Sequence, residues 1–187
     1  MKKYFLLLIL SIPFTTIGAT VADTEIPETF QLQSHNLQLN GAGVRVKWFV
    51  KVYAAGLYLE SVETDPEKII SADRPMAIQL RFLRSVGFDK IKEAQEDGFK
   101  RGAGDKFIEL KPKIDQFNSY FTKDTEDGSI YDFTYTPGIG TVLIVNGKKM
   151  PAIQGLAFKQ ALFNIWLGKE PSDEDLRLAL LNPTPKS

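Results

Sequence analysis

Two side chains are equipped to bind an anion: Arg45, set in the long apolar and aromatic segment LNGAGVRVKWFVKVYAAGLYLE (Leu39 to Glu60), and Tyr53 further along it. A guanidinium stays ionised at ordinary pH, and burying it without a partner costs several kcal/mol. The chain must therefore supply a carboxylate, or a ligand must supply a negative group. On one unbroken strand Arg45, Lys47, Phe49, Lys51 and Tyr53 would share a side, and Val44, Val46, Trp48, Val50 and Val52 the other. A turn near Val46 to Trp48 would break that register and still bring Arg45 to Tyr53 across a hairpin. A guanidinium and a phenol at the mouth of an apolar pocket suit a carboxylate or a phenolate. The competing readings are that Arg45 pairs with an internal acid such as Glu60 or merely covers a sheet edge, and spacing alone leaves all of them open.

Other chemistries are poorly supplied. The chain has no cysteine and one histidine, which removes thiol nucleophiles, Cys/His zinc sites and most histidine-based triads. His35, in QLQSHNLQL, reads as a solvated residue of a turn formed by Ser34, His35 and Asn36. Gly41-Ala42-Gly43 is followed by a strand pattern, whereas a phosphate cradle needs its glycine turn to open a helix. Gly147-Lys148-Lys149 fits a polar hairpin turn. Glu96 with Asp97, and Asp173, Glu174 and Asp175, sit on charged helix faces or at a helix start, where carboxylates favour the dipole. No metal and no cofactor is expected.

The elements that must position Arg45 and Tyr53 alternate between β and α. Phe30 to Leu39 reads as a hairpin, Gly41 and Gly43 punctuate the chain, and Val44 to Leu59 is strand-rich with small residues at Ala54, Ala55 and Gly56. Asp65 and Pro66 cap and open a short helix through Ile70, and Met76 to Leu83 alternates as a strand. Phe88 to Arg101 carries Phe88, Ile91, Ala94, Gln95 and Phe99 at helical spacing. A second helix from Lys106 to Phe121 is expected to split at Pro112. Ser129 to Thr136 and Gly140 to Val145 read as strands, with Asn146-Gly147 as a tight turn. Ala157 to Trp166 reads as a helix ended by Gly168, and Ser172 with Asp175 as a capping box opening a helix through Leu181. The sum is an α+β fold, a mainly antiparallel sheet with helices on one face.

Composition sets the compartment and bounds the partners. The 187 residues are 43% hydrophobic, enough for one domain with a substantial core. MKKYFLLLILSIPFTTIGATVA reads as a secretory signal peptide, residues 1–22, whose apolar run is too short to span a membrane. Cleavage after Ala19 or Ala22 would leave a small residue at the cut; Ala22 is preferred, with residues 23–187 as a single mature domain. The mature chain is then expected to be exported, in the periplasm, without a transmembrane segment. Losing Lys2 and Lys3 changes 23 basic against 23 acidic residues to 21 against 23, which suggests neither nucleic acid nor an acidic membrane surface as partner.

LNGAGVR followed by KVYAAGLYLE resembles the hallmark of the chalcone isomerase superfamily, its exported bacterial members in particular. The strand ending IVNG and the helix ending WLGKEPSDEDL are similar to its C-terminal half, so the resemblance covers Ile26 to Asn182. It implies an open-faced β-sandwich, a large antiparallel sheet covered by helices with the ligand cleft between them. In the plant isomerases the arginine resembling Arg45 stabilises a chalcone's anionic oxygen during ring closure. In fatty-acid-binding members, that arginine and a tyrosine similar to Tyr53 hold the carboxylate. The isomerases commonly carry threonine at the Tyr53 position. Phe88, Gln95 and Ile165 fall where they place tyrosine, asparagine, and threonine or serine. The resemblance therefore implies a cleft lined by Arg45, Tyr53, Phe88, Gln95 and Ile165 that takes a small amphipathic anion, with a fatty acid as the expected ligand. An intramolecular lyase acting on an unknown enone, with Arg45 and Tyr53 catalytic, is the alternative.

Overall fold

The computed structural model describes residues 17–183. The first two strands, β1 (Ile17–Val21) and β2 (Thr24–Pro27), form a small antiparallel hairpin of their own. The next seven, β3 (Thr29–Leu32), β4 (His35–Lys47), β5 (Val50–Leu59), β6 (Met76–Phe82), β7 (Ile130–Thr136), β8 (Gly140–Val145) and β9 (Lys148–Lys149), make one antiparallel sheet whose spatial order follows chain order.

Among the described residues five α-helices accompany it: α1 (Pro66–Ser71), α2 (Phe88–Ala103), α3 (Phe107–Asn118), α4 (Leu156–Leu167) and α5 (Glu174–Leu181). Alternation along each strand divides the apolar side chains between two faces. Ile78, Leu80 and Phe82 of β6 join Phe99, Phe117, Phe158 and Trp166 in the main core beneath the helices. Ala77, Tyr58 and Leu37 form a smaller core with Ile26 and the β1–β2 hairpin. The α+β sandwich with helices on one face of the sheet is therefore the observed architecture, and the hairpin covers part of the other face.

Glycine explains how closely these layers approach. Gly41 and Gly43 lie inside β4 rather than in a turn before it. A Cβ on Gly41 would stand 2.4 Å from the Ala179 carbonyl oxygen, and one on Gly43 2.6 Å from the Ala179 Cβ, so α5 can lie on β4 only where side chains are absent. Asn40, buried beside them, donates to the Leu180 carbonyl at 3.0 Å and accepts from the Glu63 amide at 3.0 Å. In β5, Ala54 and Gly56 serve the opposite face, where a Cβ on Gly56 would meet Ile26 at 2.8 Å, while Ala55 faces the main core.

A buried lysine holds the helical layer together. Lys159 of α4 is fully buried, and its Nζ donates to the carbonyls of Ile69 and Ile70 at 2.8 Å and of Ala72 at 2.9 Å. Three acceptors match the three ammonium protons and satisfy the C-terminus of α1, where a cation is favoured.

Several local expectations shift. The first turn of the main sheet is Gln33-Ser34, and His35 opens β4 with Nδ1 3.1 Å from Glu60 Oε1. Pro112 does not split α3, which runs through it because Leu110, Ile114 and Phe117 anchor both halves in the core. The α5 cap is Asp173, whose carboxylate accepts from the Leu176 amide at 2.9 Å; Ser172 Oγ is buried with no partner. Asp65 caps α1 as expected. Most of the expected leader lies outside the described residues, while its last part forms β1: Ala19 is within that strand and Ala22 at the turn to β2.

Candidate functional site

The β4–β5 hairpin positions Arg45 and Tyr53. Its turn is the pair Trp48-Phe49, at the far end of the Val46 to Trp48 stretch where the sequence allows one, and it sets Arg45 directly opposite Tyr53. A bulge follows, because Val46 pairs with Lys51 and leaves Val52 over. That bulge bends the end of the hairpin and twists it. The Val46 amide donates to Asp173 at 3.2 Å, so the residue that caps α5 also fixes β4 beside Arg45.

Arg45 is half-buried, with its guanidinium carbon 5.8 Å from the centre of the Tyr53 ring. It takes part in none of the ion pairs among the described residues. Glu60, the internal acid that could have neutralised it, is turned to His35 at the other end of β5. The cation lies against an aromatic face and, among the described residues, pairs with no carboxylate.

Tyr53 is 5% exposed and packs edge-on against Phe82 at 5.6 Å. Trp166 Nε1 donates to its hydroxyl oxygen at 3.1 Å. An indole N–H can only donate, so the phenol's own proton remains available. Trp166 was legible in the sequence only as part of the apolar stripe of α4, where a core role is the ordinary reading; its partner is 113 positions away.

These groups open onto a cavity of about 520 Å³ between the sheet and the helices. Its interior is apolar, walled by Leu80, Phe82, Phe99, Phe117, Phe133 and Leu162. Arg45, Lys47, Arg84 and Lys90 also line it, and no carboxylate does. Lys47, Arg84 and Lys90 are exposed, so they ring the mouth. Gln95 and Ile165 line the cavity as expected. Phe88 does not: it opens α2, its amide donates to Asp124 at 2.8 Å, and the adjacent Val86, Gly87 and Ile91 reach the cavity instead. The first half of α2 is only half-buried on its inner side because it stands over this space.

The arrangement can hold a molecule with one negative end and an apolar body. Among the described residues no cluster of His, Cys, Asp and Glu is placed to hold a metal.

No curated protein matches the sequence at a significant level. Among solved structures the chain is similar to a fatty-acid binding protein of Arabidopsis thaliana, with a TM-score of 0.71 and 18% identity over 85% of this chain and 92% of that one. At that identity the likeness concerns the fold. The family model for chalcone isomerase-like proteins matches residues 18–182, from β1 through α5. The chain belongs to the chalcone isomerase-like family.

Proposed function

We propose that this protein binds a small amphipathic anion, a fatty acid, with the carboxylate at Arg45 and Tyr53 and the acyl chain in the apolar cavity. One observation carries the reading: an arginine without a carboxylate partner stands at the entrance of an apolar cavity lined by four cations and no acid. Arg45 supplies charge and paired donors, and Tyr53 adds its free hydroxyl proton. Each buried methylene of the chain contributes about 0.8 kcal/mol, and the cavity volume falls in the usual range for small-molecule sites. The fold it shares with a plant fatty-acid binding protein supports the same class of ligand.

The test is a fatty-acid titration of delipidated protein. Saturable binding is expected, and Arg45→Met, which keeps the apolar stem, should weaken it about ten- to one-hundred-fold. Absence of saturable binding, or equal affinity in the variant, would sink the proposal.

Export is part of the same reading, supported by the basic, apolar and small-residue order of the first 22 residues. Cleavage after Ala22 would remove β1, and cleavage after Ala19 most of it. The intact mass of the protein recovered from the periplasm identifies the cut, and finding it only in the cytoplasm would refute export.

A further inference from the structure

We propose that the Trp48-Phe49 turn is a membrane-docking tip that seats the mouth of the cavity on an anionic lipid surface. Trp48 is 84% exposed and Phe49 100%, the two most exposed of the large apolar side chains. Both hold positive φ, 51° and 66°, a region that suits glycine and asparagine and is unfavourable for bulky residues. Exposure and backbone strain thus coincide at two residues that contribute nothing to the core.

The surroundings match a lipid headgroup layer. Lys47 and Lys51 flank the turn and are exposed, while Val46 and Val50 beside them are 44% and 37% exposed. Arg84 and Lys90 lie across the mouth that Trp48 and Lys47 also line. Tryptophan favours the boundary between water and hydrocarbon, and lysines can lay their stems along it with ammonium groups among phosphates. The near-neutral composition argued against an acidic membrane surface; the fold gathers cations at one opening and changes that expectation.

Other occupants fit less well. Phe49 is fully exposed and lines no cavity found among the described residues, so the outer end of the turn offers no pocket to a small molecule. Its two aromatic side chains present about 400 Å², against ~800 Å² per partner in a stable protein interface. A symmetric contact between two copies would bring Lys47 and Lys51 against their own counterparts.

This inference goes beyond fatty-acid binding and does not depend on it, because the assay needs no cavity ligand. Delipidated protein is sedimented with phosphatidylcholine vesicles, with and without phosphatidylglycerol, and tryptophan emission is recorded. Stronger binding to the phosphatidylglycerol vesicles is expected, with a blue shift from Trp48 and weakening by salt. Lys47→Gln with Lys51→Gln should lower binding about thirty-fold. Trp48→Asn with Phe49→Gly should lower it about ten-fold or more, while its unfolding midpoint rises, so lost binding would not reflect lost structure. Three results would overturn the proposal: no sedimentation with phosphatidylglycerol vesicles, equal binding by the Trp48→Asn/Phe49→Gly variant, or a dimer in light scattering that this variant dissolves.

Discussion

The Tyr53 hydroxyl already accepts one hydrogen bond, from Trp166, and that fixes which half of it a ligand can use. Tyr53→Phe removes the donor to a carboxylate and leaves the indole N–H buried without a partner. Fatty-acid affinity should fall about five-fold, and stability by about 1–3 kcal/mol in denaturant unfolding; an unchanged affinity would place the carboxylate elsewhere. Lys159 makes a second prediction at this scale. Burial lowers its pKa from 10.5 to about 8, partly offset by the Asp73 carboxylate. Below pH 8 folded and unfolded chains both carry the proton, so this residue adds no slope. Between pH 8 and 10.5 the unfolded chain holds a proton that the folded chain has released, so stability rises with pH, at up to ~1.4 kcal/mol per unit. Tyr135 acts in the opposite sense above pH 10, its pKa raised to about 12 by burial and by Asp73. Denaturant midpoints at pH 8 to 10 should therefore rise more in wild type than in Lys159→Met. Arg45 could be read from its type and setting. Trp166 could not, because a tryptophan in an apolar stripe signals packing before it signals a donor.

Among the elements, three tight turns show when turn chemistry is readable. Ala22-Asp23, Trp48-Phe49 and Asn146-Gly147 all hold two successive residues at positive φ. Asn146-Gly147 has the residue types that this geometry favours, and the sequence marks it plainly. Trp48-Phe49 has neither, so it reads as more of a strand. Replacing it with Asn-Gly should raise stability by about 2 kcal/mol in denaturant unfolding, since each strained position costs about 1 kcal/mol or more. A variant no more stable than wild type would mean that the aromatic pair makes compensating contacts. Gly41 and Gly43 are the opposite case. A glycine that opens a turn and one that admits a helix look alike in a single sequence, and only α5, more than a hundred residues away, distinguishes them. Pro112 shows tertiary packing overriding a local breaker.

For the whole molecule, alternation along the strands and helical spacing after them suffice to read an α+β layer, a mainly antiparallel sheet with helices on one face; the sandwich with its cleft is what the family resemblance adds. What periodicity could not provide is where the layers part. The cavity is lined by α2, α4 and the bent end of the β4–β5 hairpin, and its positive rim joins residues from β4, the segment after β6, and α2. Overall charge averages over such a rim and hides it. The Trp166–Tyr53 bond carries one more consequence. The chain contains two tryptophans, one in the cavity wall and one on the outer tip. Substituting Trp48 leaves a single emitter whose N–H is bonded to the hydroxyl that a carboxylate would contact. If the carboxylate sits as proposed, emission from Trp166 should report occupancy in a Trp48 variant, and in the wild type Trp48 should report separately on contact with a lipid surface.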